Sequence, residues 1–391
     1  IYTYNIKKYL TAVKNAEITF NNDRIKINAP DIQVNDSKIN ISAEATFDRN
    51  KKINVENVHF NSLNLDLNTL FPMLEKEITP FNGNFITIKN GTATINSFKV
   101  LDIKAKDISA DFSLNNNILK ISNIISSAYG GKVRGSINID ILPHIFELKL
   151  NGQNISLRES LYDLCKLDDN IAGSANFVSN LKLKSGDYRS TIKSLNGYVD
   201  YKSSNGRMGT LGKFEYYLYA QNILYHGFLK TTLNRIADAI TKNNTSQYRY
   251  SSGTVHFENG YASFDNIKTQ GKDMSLFLKG QHNLITNQAN INIYGRISDE
   301  ISSKLGSFGE FSISDFIDNS SEKKPKNVEA LPLELINEIP LLTQTNVNTK
   351  TFKVNIFGKL DAINSINSFY WVVPSQNITI KEEKLPDFSD I

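Results

Sequence analysis

Residues 128–140 read AYGGKVRGSINID, and this stretch decides the fold class. Gly130 and Gly131 can take positive φ without a Cβ penalty, so a tight chain reversal is expected there. After it, Val133, Gly135, Ile137 and Ile139 fall on one side of an extended chain. Lys132, Arg134, Ser136, Asn138 and Asp140 fall on the other. Strict two-residue alternation means a strand with one dry face and one wet face.

Working outward, the same plan recurs. Short alternating runs separated by Asn, Asp, Pro and Gly clusters predict strands over 17–20, 24–27, 32–34, 38–45 and 53–60. They resume over 83–88, 91–96, 97–103, 106–115, 118–126 and 145–152, then 171–184, 188–193 and 194–202. Further strands are expected over 253–258, 261–269, 273–281 and 289–297, with a last one over 349–360. Helical spacing predicts helices over 1–14, 67–75, 156–167 (Ser156 and Glu159 as a capping-box pair), 211–242 and 331–342. The reading gives three regions: 1–80, an N-terminal helix plus strands; 81–372, a β-groove region with helix 211–242 and a helical insert at 299–342; and 373–391, a polar tail.

On the order of twenty half-apolar strands joined mainly by short turns favour neighbouring antiparallel pairing. A sheet that size must close, fold over or cover its dry face. The expected fold is mainly β with a few helices: a long curled antiparallel sheet, a groove or trough, flanked or capped by amphipathic helices. Its lining would be Val133, Ile137 and Ile139; Phe146, Leu148 and Leu150; Phe177 and Leu181; Ile291 and Ile293; and Phe352, Val354 and Ile356. Alternation fits a packed core equally well, so both readings stand at this point.

Composition narrows the function classes. The chain has 391 residues, 40% hydrophobic and 21% charged, with a net charge of +4. So small a charge, with no basic block interleaved with aromatics, argues against nucleic acid. The single cysteine, Cys165, excludes an intramolecular disulfide and a cysteine metal cluster and reads as a buried thiol. No run of eighteen apolar residues is present. The chain opens on Ile1, so an N-terminal piece is expected to have been removed or left out.

Catalytic signatures are missing. His59, His144, His226, His256 and His282 have no ligand spacing to one another or to cysteine. Residues 206–213, GRMGTLGK, sit in phosphate-loop context but put five residues between Gly206 and Gly212, with Phe214 where a hydroxyl belongs. The pairs Asp168–Asp169 and Asp299–Glu300 read as caps or solvated charges. No enzyme, cofactor or metal is expected.

The chain resembles the C-terminal region of AsmA-like envelope proteins, the family that includes the TamB- and YhdP-type proteins. The carriers are AYGGKVRGSINID at 128–140, ISADFSLNNNILKISN at 108–123, IAGSANFVSNLKLKSG at 171–186, LNGYVDYKSSNGRMG at 195–209 and FKVNIFGKLDAINSINSFYWV at 352–372. The resemblance implies a largely periplasmic protein anchored to the inner membrane through a missing N-terminal segment. It is also similar to bridge-like lipid-transfer proteins, whose β-groove carries phospholipid between membranes in outer-membrane biogenesis. Phospholipids, and outer-membrane assembly components, are the partners so implied. The alternative is a scaffold for outer-membrane proteins that transfers no lipid.

Overall fold

The computed structural model describes residues 2–6, 9–21, 23–47, 52–68, 86–165, 171–208, 247–299, 328–344, 347–359 and 366–375. The chain divides into two compact units. The first comprises Ile1–Arg207, Thr254–Ser263 and Asn283–Ile285, and the second Met208–Gly253, Phe264–His282 and Thr286–Ile391. Both are mainly β with few helices, as the alternation predicts. Helix 211–242, nearly all of 67–75 and of the insert before residue 328, and the tail from 376 lie outside the described residues.

The first unit is built on a ladder of strands: β1 (Tyr2–Ile6), β2 (Tyr9–Lys14), β3 (Glu17–Asn21), β4 (Arg24–Val34), β5 (Ser37–Phe47), β6 (Ile53–Asp66), β7 (Ile86–Val100), β8 (Ile103–Asn115), β9 (Ile118–Ala128), β10 (Gly131–Asp140), β11 (Ile145–Ser156), β12 (Ile171–Lys184) and β13 (Asn196–Met208). β2 and β3 lie end to end along one edge of β4. From β4 to β12 each strand pairs with the next in sequence. Pairing is antiparallel except at β6–β7, which is parallel. Nineteen residues separate those two strands, enough for the crossover that parallel pairing needs.

Four elements of the first unit differ from the sequence expectation; one is β4, a single strand where two were expected over 24–27 and 32–34. Residues 1–14, expected as a helix, are β1 and β2, paired from Tyr2↔Val13 to Ile6↔Tyr9. Their Tyr, Thr, Ile and Val content suits a pleated surface better than a helix. Residues 188–193, expected as a strand, form helix α2 (Tyr188–Ser194), because the Asp187 carboxylate accepts from the Ser190 N–H and caps it. The three strands expected over 83–103 are largely one strand, β7. The expected helix at 156–167 is present as α1 (Leu157–Cys165).

Strand bulges explain the merged strands: the register shifts in β4 between Ala29 and Ile32 and in β7 between Ile88 and Gly91, where the alternation suggests strand ends. Asn57, Asp107, Asn123 and Asn154 sit inside strands with φ of 53°, 51°, 52° and 55°. Each marks an extra residue relative to a neighbouring strand. Asparagine and aspartate tolerate this left-handed backbone better than other side-chain-bearing residues. Side chains satisfy the displaced groups: the Asn57 N–H donates to Asn90 Oδ1 at 3.1 Å, and the Asn154 N–H to Asn176 Oδ1 at 2.8 Å.

At the opening hairpin the left-handed residues are Tyr129 (φ 50°) and Gly130 (φ 75°), the paired positive values of a two-residue β-hairpin turn. Gly131 already belongs to β10. It is small for another reason: a Cβ there would lie 2.2 Å from the Gln153 carbonyl oxygen.

The second unit is packed differently. β14 (Gln247–Glu258), β15 (Tyr261–Gly271) and β16 (Met274–Asn283) place most of their residues in it, followed by β17 (Gln288–Ser298), β18 (Val328–Leu331), β19 (Thr349–Lys359) and β20 (Ile366–Pro374). β17 pairs with β19 and β19 with β20, while β18 joins β20 in parallel. The helix expected over 331–342 is shorter, α3 (Leu333–Glu338): residue 331 belongs to β18, and Ile339, which precedes Pro340, is extended and ends the helix. β20 follows the strand expected to be last. Phe277, Tyr294, Leu331, Ile336, Ile339 and Val372 form one core.

Candidate functional site

The register of the first unit lines up its dry residues. Direct cross-strand partners run Phe20, Ile25, Ala45, Val55, Ile88, Leu114, Leu119, Ile139, Phe146 and Leu183, one from each strand from β3 to β12. Partners share a face, so this is one unbroken apolar row. Nine inter-strand steps of ~4.8 Å make it about 43 Å long. A second row, Val58, Gly91, Phe112, Ile121, Ile137, Leu148 and Leu181, crosses β6 to β12 beside it.

Most of these residues are not packed away, although Val58 and Gly91 of the second row are buried. In the long row only Ala45 and Leu114 are buried; Phe20 is 72% exposed and the other seven are half-buried. Val133, Ile137, Ile139, Phe146, Leu148, Leu150, Phe177 and Leu181 are all half-buried, and register places them together on this face. Sequence reasoning did not place the row's β3 to β9 members on the candidate face. The alternation in β6, β8 and β9 jumps parity at the asparagine and aspartate bulges, which hides the shared face.

The remaining five expected residues lie in the second unit. Ile291 pairs with Ile356 and Ile293 with Val354, and Phe352 lies opposite Gly295. Phe352 and Val354 are fully buried, Ile291 and Ile293 are 7% exposed, and Ile356 is half-buried. The Phe352 ring occupies the space a side chain at Gly295 would need, 2.0 Å from the position of its Cβ.

The wet face of the first unit is polar in the same register. Lys26 pairs with Glu44 at 3.0 Å, and Lys182 with Glu147 at 2.8 Å, each across adjacent strands. Hydrogen bonds from Lys26 and Lys182, reinforced by their charges, hold both carboxyls below the usual carboxylate range. The sheet is therefore amphipathic across its width.

Among the described residues no group of three or more His, Cys, Asp or Glu could hold a metal ion. His59 Nδ1 shares a hydrogen bond with Thr92 Oγ1 and His282 Nε2 with Asn287 Oδ1, both at 2.9 Å. Gly206 lies in β13, whereas 209–213 of the glycine-rich stretch, Asp168, Asp169, Glu300 and the Cys165 side chain lie outside what is described. Among the described residues no helix is long and apolar enough to cross a membrane.

No family model, curated protein or solved structure matches this chain, so the AsmA-like resemblance rests on the quoted stretches alone.

Proposed function

We propose that the dry face of the first unit binds phospholipid acyl chains, as part of a non-enzymatic, AsmA-like envelope protein that carries lipid between inner and outer membrane. The observation that carries this reading is the ten-strand apolar row left half in water. Fully burying a large apolar side chain is worth about 1.5–3 kcal/mol, so each half-buried member forgoes roughly 1 kcal/mol. Acyl chains recover that, and each CH₂ they bury adds about 0.8 kcal/mol. A chain spans about 15 Å of half a bilayer, so a row of about 43 Å holds more than one lipid's reach.

The test is native mass spectrometry of the purified protein for co-purifying phospholipid. A triple variant, Ile137→Asp, Leu148→Asp and Leu181→Asp, puts charge on three adjacent strands of the second row. We expect lipid-bound wild type and a folded, lipid-free variant. A lipid-free wild type that also takes up no fluorescent phospholipid contradicts the reading.

One observation favours the scaffold alternative. Among the described residues β3 pairs only with β4, and its Ile18 and Phe20 are 56% and 72% exposed. An apolar edge strand can accept a partner's strand. Crosslinks from β3 to outer-membrane assembly components, without lipid crosslinks on the dry face, would favour that role.

A further inference from the structure

A cleft of about 1070 Å³ lies at the β9–β10 turn, walled by the ends of β8, β9 and β10 and by α1. Four cations line it, Lys104, Lys106, Lys132 and Arg158, against two carboxylates, Glu159 and Asp163. Asp163 stands 3.7 Å from the Lys104 ammonium. Beside it runs a cross-strand row, Ser97, Lys106, Ser127, Lys132 and Gln153, which carries two lysines across five strands and no carboxylate. Elsewhere on this wet face Lys26 and Lys182 each have a glutamate directly opposite. Here two lysines flank the Ser127 hydroxyl instead, about 10 Å apart by strand spacing. An anion between the two lysines would be attracted by both.

The turn itself adds to the arrangement. Tyr129 holds a left-handed backbone that is costly for an aromatic residue, and its hydroxyl accepts the Lys104 N–H at 3.3 Å. Burial, with the nearby Asp163 charge adding to it, pushes the Tyr129 hydroxyl up from its ordinary value, so it stays a neutral donor. The Ser156 N–H donates to the Tyr129 carbonyl at 2.9 Å and fixes the start of α1, which carries Arg158, on the turn. Ala105 and Ala128 bring apolar wall into the same cleft.

We propose that this cleft binds a phosphate group, held by the Lys106 and Lys132 ammoniums on either side of Ser127 with the Arg158 guanidinium closing from α1. Phosphate supplies the charge and the several acceptor oxygens that two ammoniums, a guanidinium and a hydroxyl would saturate. If the phosphate is a lipid headgroup, the proposal rests on the acyl-chain reading above; if it is a small phosphomonoester, it does not.

Calorimetric titration of the whole chain separates the sources, with three probes: glycerol 3-phosphate, dihexanoyl phosphatidic acid, and dihexanoylglycerol, which has the same tails and no phosphate. Lys106→Gln with Lys132→Gln is the test variant; both lysines are exposed. We expect phosphatidic acid to bind at least ~10-fold tighter than dihexanoylglycerol, the advantage vanishing in the variant and shrinking as salt rises. Lysine-dependent binding of glycerol 3-phosphate alone also upholds the cleft and identifies a small-phosphate source, even if neither acyl compound binds and the acyl-chain reading falls. Equal affinity for phosphatidic acid and dihexanoylglycerol, unchanged by the variant and by salt, overturns the proposal and leaves acyl-chain binding standing.

Discussion

The two units use the same alternating strands to opposite ends. In the first, the eight dry-face residues chosen from β10 to β12 stop half-buried, and the opposite face carries Lys–Glu pairs such as Lys182–Glu147. In the second, β17 is buried on both faces: Ile291 and Ile293 on one, Tyr294 on the other beneath Ile336 of α3. Polar groups pair inside it, as with Ser251 and Thr269 at 3.0 Å and the half-buried Lys353–Glu329 pair at 2.7 Å. The difference is written in the letters. Strand β10 alternates apolar and polar residues, whereas β16 opens with four consecutive buried residues, Met274 to Phe277. Continuous burial marks a strand covered on both sides, and strict alternation one that is covered on one side at most.

Truncating a side chain of each kind should break the symmetry most visibly. Phe352→Ala empties a fully buried site and should cost about 3–5 kcal/mol, whereas Leu148→Ala on the half-open face should cost about 1 kcal/mol. Denaturant unfolding followed by unit-specific hydrogen exchange checks both. Equal costs would mean the two faces are packed alike.

A glycine pair sharpens the same point. A Cβ at Gly295 would lie 2.0 Å from the Phe352 ring, and one at Gly152 would lie 2.1 Å from the Phe177 ring. Phe352 has nowhere to go, but half-buried Phe177 can swing outward. Gly295→Ala should therefore cost about 2 kcal/mol and Gly152→Ala less than about 0.5 kcal/mol, measured in the same way.

The smallest effect is confined to alkaline solution. Burial pushes the Tyr294 hydroxyl up to about 12, with the Glu329 charge adding to it. Between about pH 10 and 12 the unfolded tyrosine loses its proton and the folded one keeps it, so the second unit loses stability as pH rises through that window. Tyr294→Phe should flatten this slope, worth on the order of 2 kcal/mol at its upper end, and leave the first unit's alkaline melt unchanged. A second unit whose stability does not change from pH 9 to 12 would mean that Tyr294 is not buried in solution.

Much of this was legible in the letters. AYGGKVRGSINID folds as a turn and an amphipathic strand, and all eight dry residues chosen from β10 to β12 sit on one face. Three things were not. The bulges at Asn57, Asp107, Asn123 and Asn154 shift parity within strands, so a period-two reading loses the shared face. Asp187 looks like a turn residue until its carboxylate is seen capping α2. Whether a dry face is open or covered depends on distant chain, which is why Leu148 and Val354 look alike in sequence yet differ in burial.

The central claim is that the dry face of the first unit is open and takes acyl chains. The most direct measurement is the thiol-labelling rate of Leu148→Cys and Val354→Cys, each in a Cys165→Ser background, with and without a sixteen-carbon lysophospholipid. The account predicts fast labelling at 148 that lipid slows at least ~10-fold and glycerol 3-phosphate does not, with slow labelling at 354 throughout. Equally slow labelling at both positions, or a rate at 148 that lipid leaves unchanged, would contradict it.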